Sequence, residues 1–314
     1  MVAARELGPK TKRQTFLKSV KKYWALYLMA IPGLVCFALF SYAPMYGVLL
    51  AFKDFSMRKG IMRSPWADPW FKYFKQFFDS PYFVQILRNT LIISVGKLVT
   101  VNISAIFLAI ALCEVRSTRF RKIAQTISYL PHFLSWVIVY GILYSMFSET
   151  YGVVNNLLKS TTGSTVNFLS NSQYFRMLLI LTNVWKEAGW GAIIFMAGIL
   201  GIDLSLYEAA RVDGASRWQM IWHITIPGIR SVIIMQLLLG IGQILNAGFD
   251  QVYVMYNVRV YEVADIIDTW VFRTGLVQWN YSLATAAGLF KSVIGTIMIV
   301  GANALARRWG ESMW

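Results

Sequence analysis

ILRNTLIISVGKLVTVNISAIFLAIALC, residues 86–113, holds only two charges, Arg88 and Lys97, in 28 residues. About 20 mainly apolar residues in a helix cross the hydrocarbon core of a bilayer, so this run reads as a membrane span. Five more runs of similar length flank it, at about 24–52, 123–147, 177–200, 228–249 and 282–306. Runs this long are not the short alternating strands of a barrel, and a helix satisfies its own backbone in lipid. The expected fold is therefore an all-α integral membrane protein with six transmembrane helices.

Composition agrees. Of 314 residues, 57% are hydrophobic and 14% charged, and the mean hydropathy is +0.51. A soluble domain carries about 25% charged residues. Disorder, a collagen-like chain and a soluble enzyme fold are excluded on these grounds. The net charge of +15 fits nucleic acid or an acidic membrane surface in general. The apolar runs decide for membrane lipid and against nucleic acid. Cys36 and Cys113 both lie in apolar runs and read as packing residues.

The basic stretch 1–22 precedes a run too long for a signal peptide core and shows no small-residue cleavage site, so it reads as a retained cytoplasmic tail. With both termini inside, the inner segments hold sixteen Lys and Arg against eleven outside, which favours cytoplasmic termini. The chain then divides into a basic tail 1–22, a six-span domain 23–306 and a second tail 307–314.

Between the spans, PWFKYFKQFF (69–78) alternates rings with Lys72 and Lys75 and reads as an interfacial helix. VYEVADIIDTWVFRTG (260–275) places Val263, Ile266, Ile267 and Trp270 at helical spacing, with Glu262, Asp265 and Asp268 between them. It reads as one short amphipathic helix whose acids face solvent.

The longest inner loop is DLSLYEAARVDGASRWQMIWHITIP, residues 203–227. Leu204, Tyr207, Ala210 and Arg211 fall at helical spacing, and a second helical stretch runs through Trp218, Ile221 and Trp222. Asp213-Gly214 separates the two, since Gly accepts the backbone angles of a helix stop. Pro227 suits the first turn of the following helix. The expected product is a helix–turn–helix ledge.

Glu208-Ala209-Ala210, Gly214 after three intervening residues, and Ile224, Ile226 and Pro227 resemble the EAA loop of permease subunits in type I ABC importers. The usual Leu before the final Pro is Ile226 here. YWALYLMAIPG (23–33), APMYGVLLAFKDF (43–55), ILRNTL (86–91), SYLPHFLSW (128–136), VYEVADIIDT (260–269) and YSLATAAGLFKSVIG (281–295) resemble the carbohydrate branch of that family. Within it they look like permeases for complex oligosaccharides, including pectin- and alginate-derived uronates.

The resemblance implies a permease core in a bacterial cytoplasmic membrane whose EAA loop, residues 203–227, is the coupling helix. Glu208, Ala209, Ala210, Asp213, Gly214 and Pro227 would meet an ATPase subunit. Two ATPase subunits, a second related permease, an extracytoplasmic solute-binding protein and a sugar are the implied partners. ATP and Mg would sit on the ATPase, because no G-x-x-x-x-G-K-[ST] loop occurs in this chain.

Ionisable groups inside spans are costly and therefore mark a function or a pairing. Lys97, Lys186, Glu187 and Lys291 are the clear cases. Lys97, Glu187 and Lys291 lie roughly 14–17 Å deep, at about 1.5 Å per residue from the outer span ends. Equal depth permits a Glu187–Lys291 or Glu187–Lys97 pair, or contact of a lysine with an anionic sugar. Trp185, Trp190, Gln243 and Asn246 join them as route candidates, since sugars stack on rings and need hydrogen-bonding groups. His132 and His223 stand apart without metal-ligand spacing and read as ordinary polar contacts, so no metal is expected. No nucleophile–base constellation is visible, and an enzyme is not expected. The competing reading is an ion-coupled secondary transporter with Glu187 as proton site. It leaves the EAA loop unexplained and has no visible inverted repeat behind it.

Overall fold

The protein is described by a computed structural model covering residues 22–308 and Gly310. The basic stretch 1–21 and most of the final tail lie outside the described residues. The principal helices are α1 (Trp24–Phe37), α2 (Phe83–Glu114), α3 (Thr118–Tyr129), α4 (Trp136–Phe147) and α5 (Ser172–Leu200). They are followed by α6 (Leu204–Val212), α7 (Arg230–Gly242), α8 (Phe249–Met255), α9 (Ile267–Phe272) and α10 (Tyr281–Arg307). Shorter turns join them, and among the described residues the β pairing is a single bridge, Lys53–Trp66.

Three continuous helices are long and apolar enough to cross a membrane: Trp24–Phe52, Phe83–Glu114 and Tyr281–Arg307. The other three predicted spans are each part of a bent pair. Thr118–Phe133 meets Trp136–Phe147 at 104°, Ser172–Leu200 meets Leu204–Val212 at 71°, and Arg217–Gly228 meets Arg230–Gly242 at 57°.

The first bend corrects the third predicted span, which is two helices and not one. Pro131 lacks an N–H and sits in a tight turn, Leu130–Phe133. Leu134 and Ser135 are extended, and the Ser135 hydroxyl then accepts from the Ile138 N–H to start α4. The fifth span also departs from the sequence reading. Helix α7 ends at Gly242, seven residues before Phe249, and Gln243–Gly248 is irregular backbone closed by Gly248 at φ +84°.

Helices α2 and α5 form the central pair, and small residues set their approach. A Cβ on Gly191 would touch that of Ala105 at 3.3 Å, and one on Gly96 would collide with Ile180 at 2.6 Å. Close packing of small residues holds helices together where lipid supplies no hydrophobic drive. Gly189 is tighter still, since a Cβ there would lie 1.9 Å from the Ser128 carbonyl oxygen at the end of α3. Helix α1 buries none of its residues; only the turns after it, Tyr46–Phe52, pack on α10, with Ala51 fully buried.

At the end of the bundle that carries Phe83, the predicted ring-rich helix forms as Lys72–Phe78. It is not merely interfacial. Phe77 is fully buried, with its ring 5.1–5.7 Å from those of Phe78, Phe83, Trp270 and Phe290. Asp54 accepts from Lys72 Nζ at 2.8 Å and from the Tyr73 hydroxyl at 2.7 Å, and these donors hold its carboxyl below the usual range.

The segment 260–275 also departs from its reading. It breaks at Asp265 and Ile266 into Tyr261–Ala264 and α9. Asp265 is buried, accepting from the two terminal guanidinium nitrogens of Arg273 at 3.2 and 2.6 Å and from the Thr269 hydroxyl at 2.8 Å. Asp268 meets Lys291 at 2.5 Å. Only Glu262 of the three acids stays exposed, because the other two have cationic partners that draw them inward.

Burial and exposure rank two substitutions. Phe77→Ala removes a fully enclosed ring, a loss of about 3–5 kcal/mol in protein cores, and lowers the thermal unfolding midpoint in detergent clearly. Asp54→Asn breaks a solvent-screened pair and leaves that midpoint nearly unchanged. A larger shift for Asp54→Asn would reverse this ranking.

Candidate functional site

The ledge begins where Asp203 caps α6, its Oδ1 accepting from the Ser205 N–H at 2.9 Å. It stops at a Schellman turn: Ala215 N donates to Ala210 O at 2.9 Å and Gly214 N to Arg211 O at 3.1 Å. Gly214 sits at φ +78°, a left-handed conformation that favours glycine. Ser216 and Gln219 then form a reciprocal capping box, with Ser216 N donating to Gln219 Oε1 at 2.7 Å. The second helix runs from Arg217 through a wide turn at Ile221–Thr225 to Pro227. Tyr207 and Thr225, 18 residues apart, join hydroxyls at 2.9 Å and tie the two helices together.

Glu208, Ala209, Asp213, Gly214 and Pro227 are exposed, and Ala210 is half-buried. Leu204, Leu206 and Val212, the last 87% exposed, leave an uncovered apolar surface beside them. Arg217 reaches Glu114 at 3.8 Å, which joins the ledge to the end of α2.

The second constellation surrounds the break in the fifth span. A cavity of about 310 Å³ is lined by Lys97, Asn183, Glu187, Gln243 and Asn246, among others. A cleft of about 430 Å³ shares Gln243 and Asn246 and adds Lys291 and Ser292. A third, of about 800 Å³, shares Asn246, Lys291 and Ser292 and continues to Phe249 and Phe272. Five of the eight predicted route residues, Lys97, Glu187, Gln243, Asn246 and Lys291, therefore meet around one break. Trp185, Lys186 and Trp190 line none of these three cavities.

The pairing expected from depth is corrected. Lys97 Nζ donates to the Ala247 carbonyl at 2.6 Å and Lys291 pairs with Asp268; Lys97 shares a cavity with Glu187, but neither lysine forms an ion pair with it. Glu187 instead takes His132 Nδ1 at 2.7 Å on one oxygen and Lys186 Nζ at 3.3 Å on the other. Lys186 also donates to the His132 carbonyl at 2.5 Å and lies over the Trp136 ring. The His132 ring stacks on Trp190, with centroids 4.5 Å apart and 3° between planes.

His132 and Asp268 are thus site residues that the sequence reading passed over. So are Ser94, Asn183 and Gln251, which line the first cavity. Ser94 precedes Lys97 by three residues and Asn183 precedes Glu187 by four. On a helix those spacings share a face, and that was the available signal. Gln251 is fully buried and donates to Leu179 O and Thr182 Oγ1, both at 2.8 Å.

Chemically, this is a set of amide, hydroxyl and charged groups on adjoining cavities inside an apolar bundle, opposite in kind to the exposed ledge. Pockets of some 300–1,000 Å³ with a few placed polar groups suit small polar ligands.

Residues 101–311 match the family described as binding-protein-dependent transport system inner membrane component. Protein LplB of Bacillus subtilis is 46% identical over 95% of this chain and 93% of its own length. The polygalacturonan/rhamnogalacturonan transport system permease protein YteP of the same organism is 43% identical over 96% and 94%. A chain in the crystal structure of a bacterial ABC transporter involved in the import of the acidic polysaccharide alginate superposes with a TM-score of 0.86. It is 40% identical, over 94% of this chain and 99% of that one. A chain of bacterial alginate ABC transporter, in complex with alginate pentasaccharide-bound periplasmic protein, gives a TM-score of 0.85 at 39% identity. With a family match over two thirds of its length and relatives of this identity and coverage, the chain belongs to the family of inner membrane components of binding-protein-dependent transport systems.

Proposed function

We propose that this subunit carries an oligosaccharide, acidic in character, through a bacterial cytoplasmic membrane in an ATP-driven importer. The observation that supports it best is the cluster of five polar and charged route residues around the break at Gln243–Gly248, in a chain whose relatives include permeases for acidic polysaccharides. ATP and Mg belong to two separate ATPase subunits, which hold the ledge through Glu208, Ala209, Ala210, Asp213, Gly214 and Pro227. A second, related permease completes the route, and a solute-binding protein delivers the sugar at the opposite end. Both termini then lie in the cytoplasm, with 23–306 as the permease domain and 1–22 and 307–314 as tails.

In this reading the ledge moves as a unit when the ATPase pair closes. The Tyr207–Thr225 tie and the Arg217–Glu114 contact support that, since they connect its two helices and α2. Lys97 and Lys291 offer cationic donors, Gln243 and Asn246 offer amides, and Glu187 binds sugar hydroxyls. Lys186 holds the Glu187 carboxylate and Trp190 braces His132, so both act by positioning Glu187, while Trp185 is exposed away from these contacts. The ion-coupled alternative has no observation in its favour: the Glu187 carboxylate is held by His132 and Lys186, and the family is binding-protein-dependent.

Two measurements test these roles. Tagged chain isolated from native membranes in mild detergent brings an ATPase and a second permease with it, and Glu208→Lys or Gly214→Pro loses the ATPase while keeping the permease. A chain that emerges alone and still transports sinks the ledge assignment. For the route, Lys97→Met and Lys291→Met reduce uptake of uronate oligosaccharides more than of neutral ones. Equal losses for both substrate types remove charge selection from these lysines.

A further inference from the structure

A run of aromatic rings leaves the third cavity and crosses the half of the bundle away from the ledge. Phe249 and Phe272 line that cavity and lie 5.5 Å apart. Tyr253 stacks on Phe249 at 5.2 Å and meets Phe272 edge-on at 4.8 Å. Tyr256 follows at 6.0 Å and stacks on Tyr261 at 4.9 Å. The Arg273 guanidinium covers Tyr261, also at 4.9 Å. Tyr261 is at the far end from the ledge, because its carbonyl accepts from Gln85 in the first turn of α2, whose last residue is Glu114.

The rings are neither sealed nor bare. Tyr253 is exposed, and the other four and Arg273 are half-buried. An ion pair stands beside each end, Asp268–Lys291 at the cavity and Asp265–Arg273 beyond Tyr261. Apart from Asp265, their side chains keep 20–25% of their surface open. Partly open ion pairs are expensive against hydrocarbon, so this face is not one that suits lipid.

We propose that these rings form a stacking track along which successive sugar units of an oligosaccharide move from the far end of the bundle to the cavity at Asn246. The proposal rests on the oligosaccharide reading above and adds the approach to that site. A pyranose presents an apolar C–H face to a ring and its hydroxyls to the Tyr oxygens and flanking ion pairs. Each pair sets N–H donors beside carboxylate acceptors at an end of the track, where sugar hydroxyls can exchange hydrogen bonds with them. Many weak contacts of this kind allow passage, where one tight site would not.

The test uses the whole transporter, with its ATPases, second permease and binding protein, in proteoliposomes. Uptake is measured for galacturonate oligomers of two and five units, with a neutral glucose pentamer as control. Tyr253→Leu slows the galacturonate pentamer roughly threefold to tenfold, the strength of a lost ring contact, and slows the dimer less. Tyr253→Phe keeps the ring and retains most of the rate. A Leu variant as fast as wild type, or a Phe variant as slow as Leu, overturns the track while leaving the oligosaccharide reading intact. Loss of the second permease from Tyr253→Leu preparations makes the face a subunit contact and also overturns it. If the wild type imports none of these probes, the oligosaccharide reading fails and the track with it.

Discussion

A peptide carbonyl released from a helix inside a membrane has no water to turn to, and leaving it bare costs about 2–7 kcal/mol. Where this chain interrupts its third and fifth spans, a buried side-chain donor from another segment meets that constraint, and the same device recurs at breaks beyond the span ends. Lys186 caps the His132 carbonyl at the elbow of the third span, and Lys97 caps Ala247 at the break in the fifth. Asn89 donates to both Glu262 and Asp265 where the 261–272 stretch divides. Asn155 serves Phe147, Ser148 and Val166 after α4. The break in the fifth span contributes Gln243, Asn246, Ala247 and Gly248 to the wall of the first cavity.

That accounting gives the intramembrane lysines a double character. Lys97 and Lys186 are structural in the sense that each satisfies backbone, yet Lys97 also lines a polar cavity with Glu187, Gln243 and Asn246. A lysine amine that gives one N–H to a carbonyl keeps further N–H groups, so the structural role and contact with a substrate are compatible. Glu187 is more confined. His132 and Lys186 occupy one oxygen each, and Trp190 braces His132 from behind. The close approach that places His132 there depends on Gly189, where any side chain would strike the Ser128 carbonyl.

The two functional regions differ in how far residue order prescribes them. The ledge is almost wholly local: helical spacing, an Asx cap at Asp203, a Schellman glycine and a capping box lie within 25 residues, 203–227. Such features form from neighbours in sequence and can be read from them. The cavities depend on partners that are distant. Lys97 finds Ala247 150 positions away, Lys186 finds His132 54 away, and Lys291 finds Asp268 23 away. Depth along a span placed Lys97, Glu187 and Lys291 at one level but carried no information on which way each faced.

The all-helical membrane fold, the six apolar runs and the ledge are legible in residue order, because length, hydropathy and local capping chemistry suffice for those. So are the charged and amide residues that have to be reckoned with inside the bundle. That the third span is an elbow and that the fifth stops at Gly242 emerges only from the folded chain. So does the inward turn of Asp265 and Asp268 to Arg273 and Lys291. The physical reason is the same in each case: a charge or an opened carbonyl inside a low-dielectric bundle goes wherever a complementary group is within reach. Packing sets that reach, and residue order alone does not.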